Sequence, residues 1–176
     1  MPYETVVTAS RGSRTAGARR AFSLKSLLQT NGSGTQTMLR LVLAGVMFPH
    51  GAQHVLGWFG GYGLSATVGW MNSALGIPVP LATFAMLVEL VAPVALVLGL
   101  GGRFAGLGLA GLMLVAAQTH AGNGFFMNWF GTLEAGVEGF EYHLLAIAIA
   151  LAVVVRGSGA FSLDRWITRT RSEQTM

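Results

Sequence analysis

The chain has 176 residues, 52% of them hydrophobic and only 10% charged, with a formal net charge of +4 and no cysteine. A soluble domain carries about 25% charged residues, so this composition points to a membrane protein. The lack of cysteine excludes disulfides, dithiol redox chemistry, iron–sulfur clusters and covalently attached c-type haem, so any redox role must borrow its carrier.

Residues 1–37 are rich in Ser, Thr, Gly and Arg and read as a basic cytoplasmic tail. The stretch ARRAFSLKSLL, residues 18–28, has a pair of arginines, but its apolar part is too short for a secretory signal and no small-residue cleavage site follows. Phe22, Leu24, Leu27 and Leu28 beside Arg19, Arg20 and Lys25 suit a short amphipathic helix on an anionic membrane surface. A tail without fixed structure is the plain alternative.

Four apolar segments follow, at residues 38–58, 81–100, 104–121 and 140–155. Each approaches the roughly 17 to 25 residues that a spanning helix needs. The 25 glycines fit close helix packing in lipid, with Gly102 and Gly106 as one pair of small residues four apart. The basic residues lie at the ends of these segments: six at or before the start of the first, Arg103 in the turn before the third, and Arg156, Arg165, Arg169 and Arg171 after the fourth. The positive-inside rule then gives an all-α, four-helix transmembrane bundle, multi-pass in the cell inner (cytoplasmic) membrane, with both termini cytoplasmic. The bundle occupies residues 38–157 and a C-terminal cytoplasmic tail residues 158–176. The two longer loops face outward and carry no basic residue. With its basic residues gathered this way, the chain is expected to partner the lipid bilayer and not nucleic acid.

At about 1.5 Å of rise per residue, the polar side chains inside the bundle fall at one depth. His50 lies about 15 Å from the cytoplasmic end, His54, Glu89, Gln118, Glu141 and His143 about 20 to 22 Å, and His120 about 25 Å. An ionisable group in lipid is costly and normally faces a bundle interior or a wet cavity, so this layer is expected to line one outward-facing pocket. Each member also has a structural reading. Glu141 and His143 stand about 200° apart on a helix and cannot aim at one point, and Glu141 near a helix N-terminus is favoured by the helix dipole. His50 and His54, in HGAQH, lie one turn apart, a two-histidine metal spacing that also arises by chance. Glu89 carries the strongest functional signal: its segment holds no basic residue, and Pro93, lacking an N–H, leaves the Glu89 carbonyl without its helical partner. The outer loops VLGWFGGYGL and GNGFFMNWFGTL share Trp-Phe-Gly and hint at an internal repeat. Trp58 and Trp129, with the neighbouring phenylalanines, are either an interfacial aromatic belt or a lid over the pocket suited to a flat ligand.

Several elements together resemble the DoxX family of small four-helix integral membrane proteins. These are a first segment opening near Arg40 and closing in His54, the lone Glu89 of the second, GGRF before the third and His120 at its end, G-x-E-Y with Glu141 and Tyr142 opening the fourth, and the terminal GSGAFSLDRW. The resemblance runs over residues 38–167. It implies association with membrane oxidoreductases, since one relative is the large subunit of a thiosulfate:quinone oxidoreductase, and it supplies no settled catalytic residues.

Three readings stand open. In the first, the chain is a subunit of a redox enzyme or respiratory complex: Glu89 with His54 or His143 binds a quinone and supplies a proton, while His50, Gln118, His120, Glu141, Tyr142, Trp58 and Trp129 complete the pocket. In the second, the four histidines and Glu89 hold a metal or haem, a reading not favoured. In the third, the chain is a non-catalytic scaffold for other membrane or redox protein subunits. The sequence favours an oxidoreductase-associated membrane protein with a quinone site, and leaves open whether it is itself an enzyme.

Overall fold

The computed structural model describes residues 24–131, 134 and 137–173. Arg11, Arg14, Arg19, Arg20 and Phe22, and with them most of the expected amphipathic tail segment, lie outside the described residues. Among the described residues the structure is all-helical, with seven α-helices: α1 (Leu24–Leu28), α2 (Gly34–Gly51), α3 (Gly63–Leu75), α4 (Val79–Leu98), α5 (Gly102–His120), α6 (Glu141–Arg156) and α7 (Leu163–Glu173). Each of α2, α4, α5 and α6 packs on two of the others, closing a ring in the order α2, α4, α5, α6.

The polarity of this bundle is the reverse of a water-soluble one. Its buried core consists largely of small and flexible side chains, including Ala44, Met47, Ala92, Ala110, Met113 and Ala150. Many Leu, Val and Phe side chains are turned outward, although Leu43, Leu96, Leu109 and Val153 are in the core: on α4, Phe84, Leu87, Val91 and Val94 are exposed while Glu89 is 3% exposed. An apolar exterior around a buried carboxylate suits a lipid solvent, where close packing of small residues replaces the hydrophobic effect between helices. Two helical stretches are long and apolar enough to cross a membrane, Val79–Leu98 and Gly102–Asn123, with mean hydropathies of 2.3 and 1.4.

Helix α2 begins four residues before the apolar run at residues 38–58. Ser33 caps it, accepting a hydrogen bond from the Gln36 N–H at 3.3 Å, which supplies one of the unpaired donors of a helix start. The polar first turn is buried because it has partners across the bundle: Gln36 donates to the Ala152 carbonyl at 3.3 Å and Thr37 to the Ala160 carbonyl at 2.7 Å.

Residues 63–75, expected to be part of an outer loop, form α3. At 13 residues this helix is too short to span, and a search for spanning runs passes over it. Its apolar positions nevertheless follow a helical period: Val68 and Met71 are buried, and Leu64 packs beside them against Ala82 and Met86 of α4. Gly76, at φ +66°, ends it in the left-handed conformation that glycine adopts without strain.

The C-terminal segment read as a tail is tied into the basic end of the bundle. Asp164, 2% exposed, accepts hydrogen bonds from the Gly101 and Gly102 N–H groups at 2.8 and 3.1 Å and from the Ser158 hydroxyl at 2.6 Å. It thereby caps the start of α5 from α7. Arg40, 1% exposed, donates to the carbonyls of Leu96 and Val97 at the end of α4 and of Ala160 and Phe161 before α7. A basic residue that the positive-inside pattern assigns to the membrane surface is in fact the bolt between three elements.

Candidate functional site

The polar layer assembles at the other end of the bundle. Pro49 interrupts the last turns of α2, and the chain continues into a single widened π-helical turn, Ala52–Leu56, which Gly57 closes at φ +73°. Such turns are uncommon and often occur at functional sites. This one carries His54. From α3, the Thr67 hydroxyl lies within hydrogen-bond reach of the His54 carbonyl at 3.2 Å and the Gly63 carbonyl at 2.9 Å, so α3 holds the turn in place.

Glu89 meets that turn from α4. Its Oε2 lies 2.8 Å from Nδ1 of His54, in a pair whose carboxylate is buried and whose imidazole is partly exposed. The backbones of α2 and α4 approach closely here: a β-carbon on Gly51 would stand 2.5 Å from the Glu89 carbonyl oxygen. That carbonyl is the one Pro93 leaves without a helical N–H partner. Glycine at 51 and proline at 93 therefore act at the same place, one admitting the neighbouring backbone and the other freeing the acceptor.

The pair opens into a groove of about 1000 Å³ between α3, α4 and α5. Its walls are mainly apolar, with Met71, Phe84, Leu107 and Leu112 among them; His54, Glu89, Thr67 and His120 supply polar atoms. Phe84, Phe104 and Leu107 both line the groove and are exposed, so it is open on the apolar outer face of the bundle. An apolar cleft with a few polar groups is the usual form of a small-molecule site.

A second pair lies behind it. The rings of His120 and His143 lie 4.8 Å apart between centroids, tilted by 32°. His143 is 8% exposed, and Nδ1 of each ring is buried without a hydrogen-bond partner. His120 lines the groove and His143 does not.

The other residues proposed for the pocket lie apart from the groove. His50 is exposed, with Nδ1 2.9 Å from the Val46 carbonyl and its ring stacked at 6.1 Å on Tyr142. The Tyr142 hydroxyl reaches the Met47 sulfur at 3.4 Å. Gln118 is exposed and forms no part of the groove wall. Glu141 holds the preceding loop, accepting from the Met127 N–H at 3.2 Å and the Trp129 indole at 3.1 Å. Trp58 and Trp129 are exposed and do not line the groove. The two Trp-Phe-Gly stretches also differ: residues 58–60 form a short 3₁₀ turn leading to α3, while residues 129–131 lie in a loop. Depth along the bundle placed His54, Glu89, Gln118, Glu141 and His143 in one layer with His120 slightly beyond it, but rotation about each helix divides the layer into separate clusters, His54 with Glu89 and His120 with His143. Among the described residues no group of three His, Cys, Asp or Glu side chains converges closely enough to hold a metal ion.

Tyr62, Thr67 and Trp70 line the groove and were not singled out in the sequence. For Thr67 and Trp70 the signal is the helical period of residues 64–71, which lay in a stretch set aside as loop; Tyr62 stands just before that helix.

The model of the DoxX family matches residues 35–129. The matched part includes the His54–Glu89 pair, the groove and His120; it ends before α6 and α7. No curated protein and no solved structure is significantly similar to the chain. The family match and the two apolar helices together identify a membrane protein.

Proposed function

Because this chain belongs to the DoxX family, we propose that it is a membrane subunit of a redox system and binds a lipid-soluble quinone in the groove beside His54 and Glu89. In this reading α2, α4, α5 and α6 all cross the inner membrane, both termini are cytoplasmic, and the groove lies toward the outer side. The observation that carries it is an imidazole–carboxylate pair, His54 and Glu89 at 2.8 Å, at the polar end of an apolar groove open to the lipid-facing surface. A lipophilic ring enters such a groove from the bilayer without crossing water, and its carbonyl needs a hydrogen-bond donor at the polar end.

Reduction of a quinone takes up two electrons and two protons, and the electrons would come from a partner protein. The chain's own contribution is binding and proton supply. Glu89 fixes Nδ1 of His54, which leaves the other ring nitrogen to face a ligand carbonyl. A positioned imidazole backed by a carboxylate can donate a proton and be recharged through it.

Trp70 lines the groove and provides a probe. Adding a short-chain benzoquinone to the protein in lipid discs should quench tryptophan fluorescence saturably, and Trp70→Phe should remove the saturable part. Glu89→Gln should still bind but lose most quinone-dependent turnover with the partner. Quenching that never saturates and is unchanged in Trp70→Phe would leave only a scaffold role. The orientation has its own test: Phe130→Cys should react with an impermeant thiol reagent applied from outside, and Arg169→Cys should not.

A further inference from the structure

Behind the groove, two imidazoles meet with buried nitrogens left unsatisfied. His120 and His143 lie 4.8 Å apart between ring centroids, and the Nδ1 atom of each is buried with no hydrogen-bond partner. Buried polar atoms are paired as a rule, and an unpaired one is costly. Two apolar rings would fill the space between α5 and α6 without that cost. What an imidazole offers in their place is a nitrogen that gains and loses a proton.

The helix ends give the pair a direction. His120 is the last residue of α5 and His143 the third of α6. The negative end of the α5 dipole favours a cation at His120, and the positive end of the α6 dipole disfavours one at His143. Two imidazolium rings at this separation repel, so the pair carries one extra proton at most, and the dipoles hold it on the His120 side. That side is the groove: His120 lines it and His143 does not. The other titratable groups nearby are already engaged. Tyr142 meets His143 edge-on at 5.6 Å, with its hydroxyl on the Met47 sulfur, and His50 stacks on Tyr142. Glu89 is paired with His54, and Glu141 holds the loop before α6.

We propose that His120 is the second proton donor of the quinone groove and that His143 recharges it. This rests on the quinone reading and completes its proton balance. A quinone has two carbonyl oxygens, and the His54–Glu89 pair serves one of them. Two electrons from an electron-carrying partner protein reduce the ring. One O–H bond of the quinol forms as an N–H bond of His54 breaks, and the other as an N–H bond of His120 breaks. His143 then passes a proton to His120 and regains one from water. His143 acts only through His120 and does not touch the ligand.

The test uses the full-length protein in lipid discs with a short-chain benzoquinone. Quenching of Trp70 reports binding and should remain saturable in His120→Gln, His143→Gln and His143→Phe, the last of which keeps a ring packed beside His120. The 15N resonances of His120 should move with added quinone at the midpoint of the quenching, while those of His50 stay in place. Reduced viologen then supplies the electrons, with the rate in protein-free discs subtracted. With protein in excess over quinone, His120→Gln should slow the single turnover at least about tenfold, and both His143 variants should match wild type. With quinone in excess, both His143 variants should slow repeated turnover by a similar factor, and imidazole buffer should restore it. A stationary His120 resonance, or an undiminished single turnover in His120→Gln, would overturn the donor role and leave the quinone site intact. Undiminished repeated turnover in both His143 variants would overturn the recharging role. Quenching that never saturates in the wild type would remove the quinone site itself, and this proposal with it.

Discussion

Gly51 packs directly on the backbone carbonyl of Glu89, so closely that a β-carbon would stand 2.5 Å from the oxygen and 2.7 Å from the Leu90 α-carbon. The obstacle is backbone on a proline-containing helix and cannot swing aside as a side chain can. Gly51→Ala should therefore push α2 from α4, at a cost of about 1–3 kcal/mol of overpacking. Thermal unfolding in detergent should show the loss, and quinone binding should fall with it because His54 follows three residues later. A variant with wild-type stability and binding would show that the helix crossing does not position the pair.

Gly111 offers the opposite case. It lines the groove, and nothing lies within 4 Å of the position its β-carbon would take. Gly111→Leu should leave the fold intact, or strengthen it by up to about 1 kcal/mol through helix propensity. It should also occupy the groove and lower quinone affinity at least tenfold. Undiminished saturable quenching of Trp70 in this variant would place the ligand elsewhere.

Asp164 predicts a defect in stability alone. Asp164→Ala removes the acceptor for two backbone N–H groups and the Ser158 hydroxyl, and each buried donor left unpaired costs about 1–3 kcal/mol. The midpoint of thermal unfolding should fall clearly, while quinone affinity per folded molecule should remain near wild type. Asp164→Asn keeps one carbonyl acceptor and should fall in between. An unchanged midpoint in Asp164→Ala would show that α7 does not secure the basic end of the bundle.

Glu141 is predicted to order a loop and not to bind the groove ligand. Glu141→Ala frees the Met127 N–H and the Trp129 indole. Proteolysis within residues 124–139 should become faster, and Trp129 emission should shift to the red as its indole turns to water. Quinone affinity should stay near wild type, because Glu141 does not line the groove. A tenfold loss of affinity would return Glu141 to the ligand site.

The sequence by itself determined that the chain is an all-helical membrane protein. Four apolar runs and a set of basic residues at their ends reflect the cost of placing charge in hydrocarbon, and that cost acts on each segment separately. Depth was legible for the same reason, since rise per residue is a local property, and it set Glu89, His54 and His143 at one level with His120 slightly beyond them. Helix α3 was legible only in part: its period is present in Leu64, Val68 and Met71, but a 13-residue amphipathic helix has no meaning until α4 is there to cover it.

Only the tertiary structure decided how the helices rotate about their axes. Rotation depends on which small residues let neighbouring backbones approach, as Gly51 does at Glu89, and that is a property of pairs of helices. It separated His50, Tyr142 and Glu141 from the groove and brought Thr67 and Trp70 into it. It also turned Arg40 and Asp164 from surface charges into buried ties, because their partners are backbone groups at Leu96, Val97, Gly101 and Gly102, whose availability no local pattern records. A helix end leaves carbonyls and N–H groups unpaired wherever it stops, and only the folded chain decides which distant side chain arrives to satisfy them.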